Sequence, residues 1–310
     1  MRAFAVPEFN GTGSVMERPI PQPEEGQILV RVQAAGVNPI DAGAVTGVMK
    51  DMLPHRLPFI PGFDYSGVVE ALGPGVDTLA VGDPVYGPVG KMVFGEGSWA
   101  ELVTVTAALA NPTPDGLDPL LAAALPTAGG AAMALVDAVD AKEGDTILIV
   151  GAAGGVGSFA IQLATRAGAR VVAVTRGANA DYVRSLGAAD VIDSNGDVVA
   201  QVRQRYPDGV DAIIDNYHDV DGLRTVAPLV RRGGWIVSPK ARGAEDAFAD
   251  EPLSVAVVSA NFGRLGELGK LAARGEINVA TEKVPLDDAG RALQAIASAG
   301  VRGKLVITVS

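Results

Sequence analysis

The sequence predicts an α/β fold in which a small, strand-dominated domain precedes a doubly wound parallel sheet. Three observations carry that prediction. Residues 26–110 place short β-rich runs between Gly and Pro punctuation. After Gly144 the pattern becomes strand and helix in alternation. The strands of this second part are continuous apolar runs rather than alternating ones, as expected where helices cover both faces of a parallel sheet. At 310 residues the chain also exceeds what one compact core usually fills, so two domains are expected.

Each element follows from local pattern. In the first part the strand candidates are ILVRVQAAGV, SGVVEALG, GDPVYG and ELVTV, each bounded by turn residues. Residues 119–137 are Ala/Leu-rich and read as helical. TILIVG then predicts a buried strand, followed by a helix over about 154–167 and a strand at RVVAVT. A further helix ends near Leu186, with Gly187 as its stop, and DVID follows. Next come a helix to about Tyr206, a strand at VDAIID, a helix from about Val220 and a strand at GGWIVS. The last fifty residues return to mixed character: a strand at SVAVVSA, a helix at LGELGKLAARG, a helix from Asp287 or Asp288, and a final strand KLVITV. Asp287 and Asp288 suit the positive end of that last helix.

Composition excludes several classes of function. A formal charge of −11 opposes binding to nucleic acid or to anionic lipid. No segment is long and apolar enough for a signal peptide or a membrane span, so a cytoplasmic protein is expected. There is no cysteine, which removes disulfides, thiolate nucleophiles and Cys-built zinc sites. The two histidines, His55 and His218, lie far apart and without metal-ligand spacing, so both read as ordinary polar residues and no metal is expected.

The most informative segment is the strand from Ile147 that leads into GAAGGVG (Gly151, Ala152, Ala153, Gly154, Gly155, Val156, Gly157) and then a long helix. In that setting Gly151 permits a tight turn, while Gly154 and Gly155 let backbone N–H groups approach a pyrophosphate. Gly157 allows close packing of helix on sheet, which leaves the helix N-terminus aimed at the phosphates. An NAD site usually ends its second strand in Asp or Glu to hold the adenosine ribose, but here Thr175 and Arg176 stand there. A hydroxyl and a guanidinium suit a 2′-phosphate, so NADPH is the expected cofactor.

The chain resembles the zinc-independent quinone oxidoreductases, relatives of zeta-crystallin, within the medium-chain dehydrogenase/reductase superfamily. The resemblance covers essentially the whole chain and runs through AAGVNPIDAG, PFIPGFDYSGVVEALGPGV, GDPVYG, GSWAELVTV, AAALPTAGGAAMALV, GDTILIVGAAGGVGSFAIQLA, LGAADVID and RGKLVITV. It implies a GroES-like catalytic domain from residues 1–118 and 260–310, with a Rossmann domain, 119–259, inserted between. It further implies a cleft that receives cofactor and substrate, and a homodimer paired through the nucleotide domains, with SVAVVSA as interface strand. Zinc-dependent relatives carry Gly-His-Glu where this chain has Gly62-Phe63-Asp64. Without a Lewis acid, negative charge on the substrate oxygen must be stabilised by hydrogen-bond donors, which suits hydride transfer to quinones and α,β-unsaturated carbonyls.

By the same resemblance Asn38 lies near nicotinamide and substrate, its amide donating to cofactor or carbonyl. Asp41 orients that loop or serves a turn, and Tyr65 either reaches the reaction site or packs in the core. Asn216 and Ser238, at strand carboxyl ends, are candidates for the nicotinamide ribose, and Arg302 and Lys304 approach the cofactor or remain surface charges. The chain departs from the family at Ala131, where Thr is usual, in AGAVTGVMKDML, which lacks the family's tyrosines, and near Asn179, where a Lys assists NADPH. DNYHDV replaces a Gly-Gly turn, leaving Tyr217 and His218 near the cofactor or on the surface. A pathway-specific ene-reductase and a noncatalytic NADPH-binding protein stay open as other readings, since function lives in the site and not in the fold.

Overall fold

The computed structural model describes residues 1–298 and 300–309. The chain divides into two compact units, Met1–Thr127 with Phe262–Ser310, and Ala128–Asn261.

The first unit opens with β1 (Arg2–Ala5) and β2 (Ser14–Glu17), an antiparallel pair. Then come β3 (Gln27–Gly36), α1 (Pro39–Val45), β4 (His55–Ile60), β5 (Asp64–Leu72), β6 (Pro84–Pro88), β7 (Phe94–Glu96), β8 (Leu102–Thr106) and β9 (Asn111–Pro112). Helix α2 (Pro119–Ala124) starts where Pro119 needs no amide partner and the Asp118 carboxylate accepts from Leu120 and Leu121 N–H. It packs against β3 and β5, which is why the first unit runs on to Thr127 instead of ending at 118. The predicted helical stretch 119–137 is therefore two helices, because Pro126 cannot continue the hydrogen-bond ladder of α2.

The second unit carries α3 (Pro126–Ala138) beyond its first residues, then β10 (Thr146–Val150), α4 (Gly155–Arg166), β11 (Arg170–Thr175), α5 (Ala180–Ser185) and β12 (Asp190–Asp193). It continues through α6 (Val198–Arg205), β13 (Val210–Asp215), α7 (Val220–Val226), β14 (Val230–Ser238), α8 (Ala244–Ala247) and β15 (Ser254–Val257). All six strands are parallel, in the order β12-β11-β10-β13-β14-β15. After β12 the chain returns past β10 to start β13, so the direction of winding reverses between β10 and β13. Ligands of such sheets bind beyond the strand carboxyl ends at that reversal.

The chain then rejoins the first unit through α9 (Leu265–Ala273), β16 (Thr281–Pro285), α10 (Ala289–Ala297) and β17 (Lys304–Thr308). Strand β17 pairs antiparallel with β3 and closes a seven-stranded sheet ordered β16-β17-β3-β5-β6-β9, with β8 also on β3. Trp99, Tyr65, Phe4 and Phe59 fill its core. Helix α10 begins one residue after Asp288, and Asp287 pairs with Arg2 instead of capping it.

Candidate cofactor site and buried polar network

The carboxyl end of β10 turns at Gly151, whose φ of +71° lies in the left-handed region open to glycine. Gly154 caps α4 with no side chain, and no side-chain bond caps the helix, so the first-turn donors of Gly155, Val156 and Gly157 point out uncommitted. A Cβ on Gly157 would stand 2.7 Å from the Ala152 Cα, so only glycine lets the helix approach the turn this closely. Ala152 is buried, donating its N–H to Val174 O on the neighbouring strand.

Two groups flank this turn. Asn216, just beyond β13, bonds Val150 O through both its backbone and side-chain N–H groups, and its Oδ1 is buried without a partner. A buried acceptor left empty is costly, so this oxygen fits a hydroxyl donor supplied from outside the chain. On the other side Thr175 ends β11, buried, with its hydroxyl 3.5 Å from Asn179 Nδ2. Arg176 is exposed, and its guanidinium has no ion pair or hydrogen bond among the described residues. Asp193, whose Oδ2 lies 3.6 Å from where a Cβ on Gly177 would stand, accepts from Asn195 N–H through its other oxygen. These groups fit a dinucleotide: uncommitted donors for its phosphates and an empty acceptor for a hydroxyl, with an unpaired guanidinium beside them.

Ser238, at the end of β14, is fully buried and its hydroxyl accepts from the N–H groups of Lys240 and Ala241. It shapes the loop that follows. Tyr217 is exposed, while His218 is half-buried and donates from Nδ1 to Asp215 Oδ2 at 2.8 Å.

The first unit gathers the remaining predicted residues around a buried polar network. Asn38 caps α1, and its side-chain amide donates to Asp64 Oδ2 at 2.9 Å. Asn38 Oδ1 accepts from Lys304 Nζ at 2.5 Å, and Lys304 also donates to Val37 O at 2.7 Å. Asp41 takes the N–H groups of Asn38 and Gly62 on its two oxygens, at 2.7 and 2.9 Å. Asp64 further accepts from the Thr127 hydroxyl at 2.6 Å and from its N–H.

The electrostatics follow from burial. Loss of water pushes Asp41 up to about 7, against the pull of the Asn38 and Gly62 N–H groups. Burial raises Asp64 and lowers Lys304 for the same reason, and the attraction between the two opposes both shifts. The structure thus brings Asn38, Asp41 and Lys304 together and adds Asp64 and Thr127, which sequence reasoning did not single out. The clue was present in Asp64, standing where zinc-dependent relatives have glutamate. Tyr65 is apart from them: it is wholly buried, and its hydroxyl has no partner. Arg302 is exposed, two residues ahead of the buried Lys304.

A zinc ion does not fit this position. Phe63 replaces the histidine and packs on Phe94, with ring centroids 5.4 Å apart, and both Asp64 oxygens are already engaged. Among the described residues no three His, Cys, Asp or Glu side chains could hold a metal ion. No helix among them is long and apolar enough to cross a membrane.

Comparisons with known proteins agree with this architecture. Residues 24–115 match the alcohol dehydrogenase GroES-like domain, and residues 155–250 match the zinc-binding dehydrogenase family. A chloroplast envelope quinone oxidoreductase homolog of Arabidopsis thaliana is 34% identical over 62% of this chain and 61% of its own length. An NADPH-dependent alkenal/one oxidoreductase, chloroplastic, of the same plant is 34% identical over 77% of this chain and 62% of its own. The chain thus spans about three fifths of these curated relatives. An alcohol dehydrogenase superfamily protein of Novosphingobium aromaticivorans has a solved structure with TM-score 0.87 and 31% identity, covering 100% of both chains. With a glycine turn at the reversal of a parallel sheet in one unit, a β-rich unit assembled from both chain ends, and full-length identity above 30%, this chain belongs to the medium-chain branch of the alcohol dehydrogenase superfamily, a family of nicotinamide-dependent oxidoreductases.

Proposed function

We infer that this chain is a zinc-free, NADPH-dependent reductase acting on quinones or α,β-unsaturated carbonyl compounds. The observation that carries the reading is the pairing of an uncapped glycine turn with an uncommitted guanidinium at the end of the second strand, Arg176. The open N–H groups of Gly155, Val156 and Gly157 would hold the pyrophosphate, and Thr175 with Arg176 the 2′-phosphate. Asn216 Oδ1 would accept from a ribose hydroxyl, and Arg302 remains a candidate contact. When bound, the reduced nicotinamide supplies hydride.

The network in the first unit has a positioning role in this reading. Asp41 holds the start of α1, and Lys304 together with Asp64 engages both ends of the Asn38 amide. Since the position of the zinc motif does not fit a metal, negative charge developing on the acceptor oxygen must be met by hydrogen-bond donors, which favours conjugated acceptors over simple ketones. Two relatives named for quinone and alkenal/one reduction support that choice.

The test follows loss of NADPH absorbance with a panel of quinones and α,β-unsaturated ketones and aldehydes, against NADH in parallel. Turnover with NADPH on at least one conjugated acceptor is expected. Tight NADPH binding with turnover on none would move the chain to the noncatalytic reading.

A further inference from the structure

The segment after β13 holds a feature that the glycine turn and Arg176 leave unexplained. Asp215 is fully buried at the end of the strand, where Oδ1 accepts from the N–H groups of Tyr217 and His218 at 2.9 and 2.8 Å, and Oδ2 pairs with His218 Nδ1 at 2.8 Å. That pairing fixes the ring orientation, and Nδ1 keeps its proton. His218 Nε2 has no hydrogen bond among the described residues, and a quarter of the side chain is open to solvent. Below the ring lies Gly222, where a Cβ would come within 2.7 Å of His218 Cδ2, so the ring's seat depends on that glycine. The edge of Tyr217 meets the ring from the side, with centroids 5.1 Å apart.

This assembly stands beside the cofactor turn. A Cβ on Gly151 would lie 3.4 Å from Asn216 Cβ and 3.8 Å from Tyr217 Cβ. It is also on the far side of the sheet reversal from Thr175 and Arg176, because β13 and β11 flank β10 on opposite edges. A dinucleotide crossing at the reversal with its adenosine over β11 therefore turns its nicotinamide half toward β13.

We propose that His218, oriented by Asp215, is a proton-linked cofactor contact, whose Nε2–H bonds an oxygen on the nicotinamide side of the dinucleotide. The inference rests on the reading that the dinucleotide docks at the Gly151 turn. With Nδ1–H committed to Asp215, Nε2 is a bare acceptor in the neutral ring and a donor only in the protonated one. Donation to a phosphate oxygen, which can only accept, is thus switched by a single proton. The groups that face the ring are Asp215 and Asp219, which favour the cation, and Lys240, which opposes it from the loop after β14 while donating to Tyr217 O. The Asp215 bond is the strongest of these influences and, against burial and Lys240, holds His218 above its ordinary value.

Fluorescence titration of NADPH should be run on the wild type and His218→Gln between about pH 7 and about pH 9, above the second ionisation of a phosphate near 6. The wild type should lose affinity on the order of tenfold across that window, as one proton leaves the contact. The variant should bind weakly and without slope. The probe 2′,5′-ADP, which has the 2′-phosphate and lacks the nicotinamide ribose, should bind both proteins alike at every pH. Since the chain has two histidines, the His218 ring is also resolvable by NMR, and NADPH should raise its titration midpoint. No NADPH binding by the wild type would defeat the parent reading. NADPH binding with no slope, a slope that survives His218→Gln, or a midpoint that NADPH leaves unmoved would overturn this proposal alone. A 2′,5′-ADP slope lost in the variant would overturn the assignment to the nicotinamide side.

Discussion

At the scale of single residues, charge and burial decide what each predicted group can do. Arg176 is a free cation on a protein of net charge −11, exposed at the end of β11 with no partner among the described residues. Arg176→Ala is therefore expected to weaken NADPH binding by roughly 10- to 100-fold, the loss of a charge-assisted bond. NADH binding should be nearly unchanged, and parallel titrations of the two cofactors would expose any failure of that contrast. Tyr65 behaves in the opposite way, because its phenol is buried with nothing to bond. Tyr65→Phe removes an unsatisfied hydroxyl, so we expect stability to rise by about 1 kcal/mol and turnover to hold. A fall in kcat without a fall in stability would return Tyr65 to the reaction.

At the scale of elements, two junctions bear the most weight. The first is α4 on the turn that precedes it. Gly157→Val must push the helix away from Ala152, and a cost of about 1–3 kcal/mol is expected from overpacking, with loss of NADPH affinity as the first-turn donors move. Denaturant melts with and without NADPH separate the two effects. The second junction joins α1, β5 and β17 through Asp41, Asn38, Asp64 and Lys304. Asp41 is raised from its ordinary 3.8 to about 7 by burial, so between those values the folded protein binds more protons than the unfolded chain. Stability then falls as pH rises from about 4 to about 7, and Asp64 adds to that slope. Lys304, lowered by burial, has the reverse sign at alkaline pH, where the unfolded chain holds the extra proton. Asp41→Asn should flatten the acid-to-neutral part of the curve, and an unchanged slope in urea melts at several pH values would deny Asp41 this role.

At the scale of the whole molecule, the open edge of the parallel sheet is the feature with a consequence beyond one chain. Among the described residues strand β15 pairs with β14 alone, and its residues Ser254–Val257 are all half-buried. Along that edge Glu245 accepts the Val257 N–H, and an edge that no strand covers invites a second one, so the homodimer that the family resemblance implies, paired through the nucleotide-binding units, is the expected assembly. Light scattering should then return twice the 31.6 kDa chain mass, and a single-chain mass would set the dimer aside.

Much of this protein was legible along the chain. The strands of the parallel sheet show as uninterrupted apolar runs, and the glycine turn sits between strand and helix, so β10, α4 and their neighbours fall where periodicity puts them. Thr175 and Arg176 follow because the second strand's end is a fixed number of steps from that turn. The hairpin of β1 and β2 was not legible, since four-residue strands carry too little pattern to separate from a loop. Tertiary structure alone decided the buried network, because Lys304 meets Asn38 only when β17 lies beside β3, and Thr127 meets Asp64 only when α2 has packed across the sheet. It also decided that Tyr65 faces the core. Local order is written by neighbours in sequence, whereas burial and the network around Asn38 depend on residues 26 to 266 positions apart, and these determine which polar side chains remain free to meet a ligand.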